Sequence, residues 1–355
     1  QYAPQWPTLV LEPEWVMLVV IPVLIFSSGR TLSFSQLRRD QLAIFLLALP
    51  GVILTLFLIG APIAWIMSIP LSHGLLFAAA VAATDPSAVA AVFKHYPIPE
   101  RLAVMIEGES LFNDATAIVI FSVMVSIVVG GTELDLFKGS GMFLWMIGGA
   151  SILGSALGWV AGKMVSRWRE QNRFSGLTMT LVLAYSSFLL AELIHVSGVI
   201  AVLFAALVFV SLRCDGESPK ESEMFSNFWD YLSTLSGSLL FLSLGAATGA
   251  HEFPLTWAIA GVVLIMLLSR LILVLLSTGL LRLAGQNLSL VWLNILNLSG
   301  LRGAVSAALV LMIPDSYPER MNFLCLAFVL CFFSLIVMPP ILASYLKRHP
   351  EIGEQ

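Results

Sequence analysis

The chain has 355 residues, of which 58% are hydrophobic and only 11% are charged, and its formal net charge is −4. Soluble domains carry about 25% charged residues, so this composition excludes a soluble globular protein and indicates an integral membrane protein. The small net charge points neither to nucleic acid nor to an acidic substrate as a partner. Three cysteines, Cys214, Cys325 and Cys331, show neither a disulfide framework nor metal-ligand spacing.

About eleven apolar stretches approach the roughly 20 residues that a helix needs to span a bilayer. Continuous runs predict helices and not barrel strands, because backbone groups in lipid must be satisfied within the segment. We therefore expect an all-α membrane protein with no attached soluble domain. The predicted segments are Val10–Ser28, Leu42–Gly60, Ser72–Phe93, Pro99–Val129, Met142–Val165, Leu177–Ile194, Val196–Leu212, Phe228–Ala250, Leu255–Leu283, Leu288–Ile313 and Met321–Leu346. The longest polar connections are predicted at Arg30–Asp40, Gly130–Ser140, Arg167–Ser175 and Arg213–Asn227.

The charges of the connections predict the orientation in the membrane. Connections after odd-numbered segments hold fourteen Lys and Arg residues, whereas the opposite connections hold only Lys138 and Arg320. The positive-inside rule then places the C-terminus in the cytoplasm, and an odd number of spans places Gln1 outside. Because the chain begins with Gln1 and shows no signal-peptide pattern, its start is interpreted as truncated or processed.

The third segment is interrupted in its middle by the sequence ATDPS, which begins at Ala83. Pro86 has no N–H and disrupts the helical bonding, which leaves carbonyl groups free near the middle of the membrane. Thr84 adds a hydroxyl and Asp85 a carboxylate, and a broken helix of this kind can supply the oxygens that a monovalent cation needs. For this motif alone, an ordinary proline kink is an equal alternative.

The fourth segment carries an acidic cluster, EGESLFND, which begins at Glu107. Ser110 and Asp114 are four residues apart and share a helix face, and Glu109 and Asn113 form a neighbouring stripe. Carboxylates inside spanning helices occur mainly where they line an ion or proton path. Asp114, which fifteen uncharged residues follow, is therefore the candidate ion ligand. For Glu107 there are two interpretations: it lines an ion path, or it belongs to a solvated helix start.

A second interruption is predicted in the tenth segment, at NILNLSGLRG (Asn294–Gly303). Asn297, Ser299 and the glycines around Arg302 break the apolar pattern. The guanidinium of Arg302 would neutralise the negative C-terminal end of a half-helix. Paired interruptions in the two halves of a membrane protein indicate a transporter site built on inverted repeats. The alternative is a glycine-lined packing face with Arg302 extended towards the surface.

Arg270 lies within the ninth apolar segment, where a guanidinium needs a partner or a hydrated cavity. Glu109 is its first-choice partner, chiefly by elimination. Asp85 and Asp114 would lose their capacity to bind an ion if either were permanently paired with a cation. The spacing along the chain does not by itself establish this pair.

Five motifs, in order, resemble the NhaP/NHE-type monovalent cation:proton antiporters, the sodium/hydrogen exchangers. They are ATDPSAVAAVF (83–93), EGESLFNDATAIV (107–119), AELIHVSGVIAV (191–202), SRLILV (269–274) and GLRGAVSAALVL (300–311). The resemblance implies an inverted-repeat antiporter fold with two crossing broken helices. Residues 1–355 would form a single membrane transport domain, whose ion-binding core includes 72–129 and 255–346, beside a dimerisation side.

The resemblance also implies roles for single residues. Asp114 would bind Na⁺ and a proton alternately, with Asn113, Ser110 and Thr84 as further ligands and Asp85 lining the site. Glu109 and Arg270 would form a structural ion pair, and Arg302 would supply the charge of the second broken helix.

The implied activity is secondary antiport and not an enzymatic reaction. It needs no cofactor, and its partners are Na⁺ (with Li⁺ and K⁺ as alternatives), H⁺, the lipid bilayer and a second copy in a homodimer, with no nucleic acid. The implied location is a bacterial inner membrane.

The chain departs from the family pattern in two places. Family members have about thirteen spans, and the shared motifs start here in what would be the third. The family's first shared helix commonly carries a carboxylate in a pattern such as LPPLLFEGG, whereas this chain reads IPVLIFSSG, with Ser27 or Ser28 at that place. We expect this change to weaken or alter ion selectivity.

Three other functions are compatible with membrane carboxylates. A cation channel would conduct without obligatory proton coupling. An intramembrane aspartyl protease would use two aspartates, here Asp85 and Asp114, but its usual Gly-x-Gly-Asp context is absent. A transport-inactive or regulatory relative is the third alternative.

Overall fold

The structure is a computed structural model that describes residues 12–32, 34–131, 136–168, 173–213, 219–249, 256–286, 288–350 and 352. Every regular element in these ranges is a helix, and eight helices are long and apolar enough to cross a membrane. The helices are α1 Pro13–Gly29, α2 Phe34–Arg39, α3 Gln41–Met67, α4 Leu71–Ala82, α5 Ser87–Phe93, α6 Glu100–Val128, α7 Leu136–Trp168, α8 Arg173–Leu193, α9 Gly198–Arg213, α10 Pro219–Thr248, α11 Thr256–Leu283, α12 Leu290–Leu298, α13 Ala304–Leu311 and α14 Arg320–Arg348.

The prediction of an all-α multi-pass membrane protein is confirmed, and some predicted boundaries are wrong. Helix α10 begins at Pro219 and not at Phe228, so part of the predicted connection Arg213–Asn227 is helical. Proline at the first helical position and a glutamate in the first turn favour such a start, although this turn is too polar for a spanning segment to be predicted there. Parts of that connection, of Gly130–Ser140, of Arg167–Ser175 and of the first segment lie outside the described residues.

Two helices are broken in the middle. Helix α4 ends at Ala82 and α5 begins at Ser87, while α12 ends at Leu298 and α13 begins at Ala304. The two connecting segments meet, because the N–H of Asp85 donates to the carbonyl of Leu301 at 2.8 Å. The two predicted interruptions are therefore present, and they lie against each other.

Small residues allow the helices around the breaks to pack closely. A Cβ added at Gly74 of α4 would overlap the carbonyl oxygen of Gly60 in α3. In the same way, Gly154 and Gly158 of α7 lie directly against the backbone of α9. Close backbone approach through small residues is a common means of helix association in membranes, where lipid is as apolar as the side chains.

A polar contact joins the far ends of the broken helices. The hydroxyl of Tyr317, in the connection after α13, lies 2.7 Å from Nδ1 of His73 at the start of α4. Burial and the negative charge of Glu319 raise the pKa of Tyr317 to about 12. The phenol therefore stays protonated near neutral pH and can donate to His73.

Candidate functional site

The carboxylate of Asp85 joins the beginnings of α5 and α13. Its Oδ1 accepts the N–H of Ser87 at 2.8 Å, and its Oδ2 accepts the N–H of Ala304 at 3.3 Å. Helix N-termini carry partial positive charge and unsatisfied N–H groups, so both helices stabilise the same anion. Asp85 thus ties the two broken helices together where they meet.

Asp114 lies on α6, opposite the end of α4, and is only 2% exposed. Its Oδ1 accepts the backbone N–H of Thr84 at 3.1 Å. The hydroxyl of Thr84 donates to Oγ of Ser110 at 3.2 Å and accepts from Nδ2 of Asn113 at 3.1 Å. The structure therefore brings Thr84, Ser110, Asn113 and Asp114 together, with Asp85 next in the chain.

One atom of this cluster has no partner. The side-chain oxygen of Asn113 is buried and accepts no hydrogen bond from any described residue. Buried polar atoms in native proteins are nearly always paired, so an unpaired acceptor beside a buried carboxylate needs an explanation. A bound cation would provide a partner for this oxygen.

Two arginines donate hydrogen bonds to carbonyl groups at the C-terminal ends of α4 and α12, which are the first halves of the two broken helices. Arg302, which is 2% exposed, donates from Nη1 to the carbonyl groups of Ala82 and Ala83 at the end of α4. Arg270 donates from Nη2 to the carbonyl of Leu296 near the end of α12, at 2.6 Å. Carbonyl groups at a helix end lack intrahelical partners and carry partial negative charge, so a guanidinium meets both needs.

Arg270 also forms a buried ion pair with Glu109. Its Nη1 contacts Oε1, and its Nη2 donates to Oε2 at 3.0 Å. The two side chains are 6% and 2% exposed, so little water screens the pair. Glu109 is therefore engaged by α11, whereas Asp114, further along α6, contacts the broken helix α4.

A cavity of about 490 Å³, lined in part by charged and hydroxyl side chains, connects this cluster with the surface. Asp85 and Asp114 lie in its wall, as does Glu107. Asp230 also lines the cavity, and its side chain is 63% exposed, which marks the mouth. The cavity thus leads from the surface to the broken helices past carboxylate side chains.

The wall that α10 contributes is not among the site residues predicted from the sequence. Asp230 pairs there with Arg30, and the hydroxyls of Ser233, Thr234 and Ser238 face the same cavity. The available signal was the mean hydropathy of this helix, which at 1.2 is the lowest of the eight spans. A run of hydroxyl residues in a spanning helix is compatible with a water-filled path.

Ser27 and Ser28 also line this cavity, at the place where the family pattern has a carboxylate. The hydroxyl of Ser27 lies 3.4 Å from the backbone carbonyl of Trp229 in α10. Helix α1 therefore contributes hydroxyl oxygens to the cavity, while the neighbouring α10 contributes the carboxylate of Asp230.

Two broken helices that meet, with charged residues at their ends and a buried carboxylate beside them, define a secondary transporter. The comparison with protein families agrees with this class. The family described as "Sodium/hydrogen exchanger, transmembrane" matches residues 4–348. The chain belongs to the sodium/hydrogen exchanger family.

Similar proteins include several that carry antiporter names. The chain is 32% identical to the Na(+)/H(+) antiporter NhaG of Bacillus atrophaeus, across 94% of this chain and 63% of NhaG. It is 31% identical to the low-affinity Na(+)/H(+) antiporter NhaS1 of Synechocystis, across 97% of this chain and 66% of NhaS1. It is 32% identical to NhaH of Halobacillus dabanensis, across 94% of this chain and 82% of NhaH. The chain thus spans just under two thirds of NhaG and NhaS1.

The fold is similar to that of a solved antiporter structure. The sodium proton antiporter MjNhaP1 of Methanocaldococcus jannaschii superimposes with a TM-score of 0.77, across 96% of this chain and 86% of that chain. Sequence identity between the two is 22%, so this likeness establishes the fold.

Proposed function

We propose that this chain exchanges Na⁺ for H⁺ across the membrane and that Asp114 binds either ion. The names of NhaG, NhaS1 and NhaH support the choice of ions. A single carboxylate loses affinity for a cation when it is protonated, and for a proton when it holds a cation. Competition at Asp114 therefore couples the two fluxes. The ions are cargo, and the exchange uses no cofactor.

The observation that carries this proposal is the set of oxygens around Asp114. Its carboxylate, the hydroxyls of Thr84 and Ser110 and the unpaired amide oxygen of Asn113 are buried together. An empty, charged carboxylate is costly in such a place, because protein and lipid solvate it poorly. A cation or a proton each removes that cost. Asp85 lines the approach and holds the helix ends in place.

The cavity supports a transport cycle by alternating access. It opens on the side of Lys94 and of Arg30, in connections that the charge distribution assigns to the cytoplasm. In this conformation Asp114 would exchange ions with the cytoplasm. The core, which includes 72–129 and 255–346, would then move against the remaining helices to expose the site on the other side. A homodimer in a bacterial inner membrane is the proposed setting.

The decisive experiment is Na⁺-driven proton movement in proteoliposomes that contain a pH-sensitive dye. We expect Asp114→Asn to abolish the signal, because an amide cannot exchange a proton for a cation. Asp315→Asn is the matched control, since Asp315 is an exposed aspartate that does not line the cavity. Exchange by Asp114→Asn at the rate of the unmodified protein would contradict the proposal.

The same vesicles distinguish exchange from channel activity. An antiporter should move protons in response to Na⁺ without a sustained current, whereas a cation channel should carry current in the absence of a pH gradient. Additions of Na⁺, Li⁺ and K⁺ to separate samples would rank the cations. Membrane-integrated protein that shows neither activity would indicate a transport-inactive relative.

A further inference from the structure

A second cavity, of about 820 Å³, lies apart from the ion path, between α3 and α6 on one side and α7 and α9 on the other. We call it the lateral crevice. Its walls are almost entirely apolar and include Ile44, Phe45, Phe112, Ile200 and Phe204. A cavity of this kind offers water few hydrogen-bond partners, so it favours hydrocarbon as its occupant.

The lateral crevice opens towards the surface that faces lipid. Phe45 and Leu42 line it and are 54% and 38% exposed, although both belong to the spanning helix α3. Its floor consists of buried side chains, among them Ile44 and Leu207. The bilayer surrounds this opening, so a lipid acyl chain is the hydrocarbon available to enter it.

One end of the lateral crevice carries a positive charge. Arg38 of α2 lines it and is exposed. Among the described residues, Arg38 has no carboxylate partner, whereas Arg30, Arg101 and Arg320 each form an ion pair. The guanidinium of Arg38 is therefore available to an anion.

Helix α2 lies at the level where lipid headgroups are expected. Gln36 donates to the carboxylate of Glu100 at the first residue of α6, at 3.2 Å. The N–H of Phe34 donates to the hydroxyl of Ser211 near the end of α9, at 3.4 Å. Helix α2 thus lies across the ends of α6 and α9, on the side with more basic residues. Basic groups between spanning helices on the cytoplasmic side bind anionic headgroups.

We propose that the lateral crevice binds an anionic phospholipid. The phosphate of the lipid lies at Arg38, and one of its acyl chains lies between Phe45 and Phe204. Helices α3 and α6 form one wall, and α6 carries Ala115, which lines the crevice next to Asp114 in the chain. Helices α7 and α9 form the other wall. A lipid held between these walls has different contacts if they move relative to each other, so it shifts the balance between conformations.

The test is lipid retention, measured by native mass spectrometry on protein purified from mixed phosphatidylglycerol and phosphatidylcholine. A basic group near a membrane surface contributes enough binding energy to change retention about fivefold. We therefore expect Arg38→Gln to lower phosphatidylglycerol retention by about that factor. Arg39→Gln is the matched control, because Arg39 is the exposed neighbour and does not line the crevice.

A second variant tests the position of the acyl chain. Leu42→Trp places a larger side chain at the exposed mouth of the crevice and should lower retention of both lipids. Equal effects of Arg38→Gln and Arg39→Gln would overturn the proposal, since they would reflect the general surface charge. Unchanged retention in Leu42→Trp would also overturn it, because the acyl chain would then lie elsewhere. Retention is measured without transport, so the result does not depend on the proposed exchange.

Discussion

The buried pair of Glu109 and Arg270 predicts a large loss of stability when the Glu109 carboxylate is replaced by an amide. Glu109→Gln leaves the charge of Arg270 buried without a carboxylate, and removal of one partner from such a pair typically costs about 3–5 kcal/mol. Thermal unfolding in detergent would measure this loss. Asp315→Asn breaks the exposed pair with Arg320 and should change stability by at most about 1 kcal/mol. Similar losses in the two variants would contradict this expectation.

Gly303 is the position where a single methyl group should disturb the site without changing any charge. A Cβ there would overlap the side chain of Asp85, which cannot withdraw without leaving the N–H groups of Ser87 and Ala304. We expect Gly303→Ala to lower the rate of Na⁺-driven proton movement, measured on protein that is still folded. Gly237→Ala is the control, because it lines the same cavity and its Cβ would make an ordinary 3.6 Å contact. Full activity of Gly303→Ala would show that Asp85 can move freely.

Residue types and spacing predicted much of the candidate site. A carboxylate in an uncharged helix and a proline in a spanning segment each have a local physical reason, so Asp114 and Asp85 could be selected from the sequence. Which atoms meet depends on how the helices cross. The bonds from Thr84 to Asp114 and from Ala304 to Asp85 join distant parts of the chain, and no local pattern encodes them.

At the scale of elements, the contact of α7 with α9 depends on glycine. A Cβ at Gly154 would overlap the backbone carbonyl of Ala201, which cannot rotate away as a side chain could. We expect Gly154→Leu to separate these helices and to lower stability by about 1–3 kcal/mol, the usual range for overpacking. The measurement is the temperature at which half of the detergent-solubilised protein aggregates. Gly148→Leu in the same helix is the control, since nothing lies within 4 Å of a Cβ there.

The spanning elements could be predicted because hydropathy alone determines which segments enter lipid. Their ends could not, because a helix can continue beyond the membrane. Helix α10 begins nine residues before its predicted start, and α3 extends to Met67, past the predicted end at Gly60. The short helix α2 lies within a connection that reads as polar, and its place depends on contacts with α6 and α9.

At the scale of the whole molecule, the cavity predicts from which side of the membrane a water-soluble reagent can reach residue 234. In a background without native cysteines, Thr234→Cys should react with a membrane-impermeant maleimide added from the cytoplasmic side. Asp315→Cys should react only from the opposite side, because Asp315 is exposed in the connection between α13 and α14. Labelling of both positions from one side would contradict the orientation deduced from the Lys and Arg residues.

The arginines at the helix ends have a consequence for the energy that drives transport. With all groups ionised, three carboxylates (Asp85, Glu109 and Asp114) face two guanidiniums (Arg270 and Arg302), which leaves one negative charge. One Na⁺ or one proton brings that total to zero, so the site is neutral in either loaded form. Moving one elementary charge across a membrane potential of 100 mV involves about 2.3 kcal/mol of electrical work, whereas moving a neutral site involves none. Exchange through this site should therefore follow the two concentration gradients and proceed at the same rate in a polarised and a depolarised membrane.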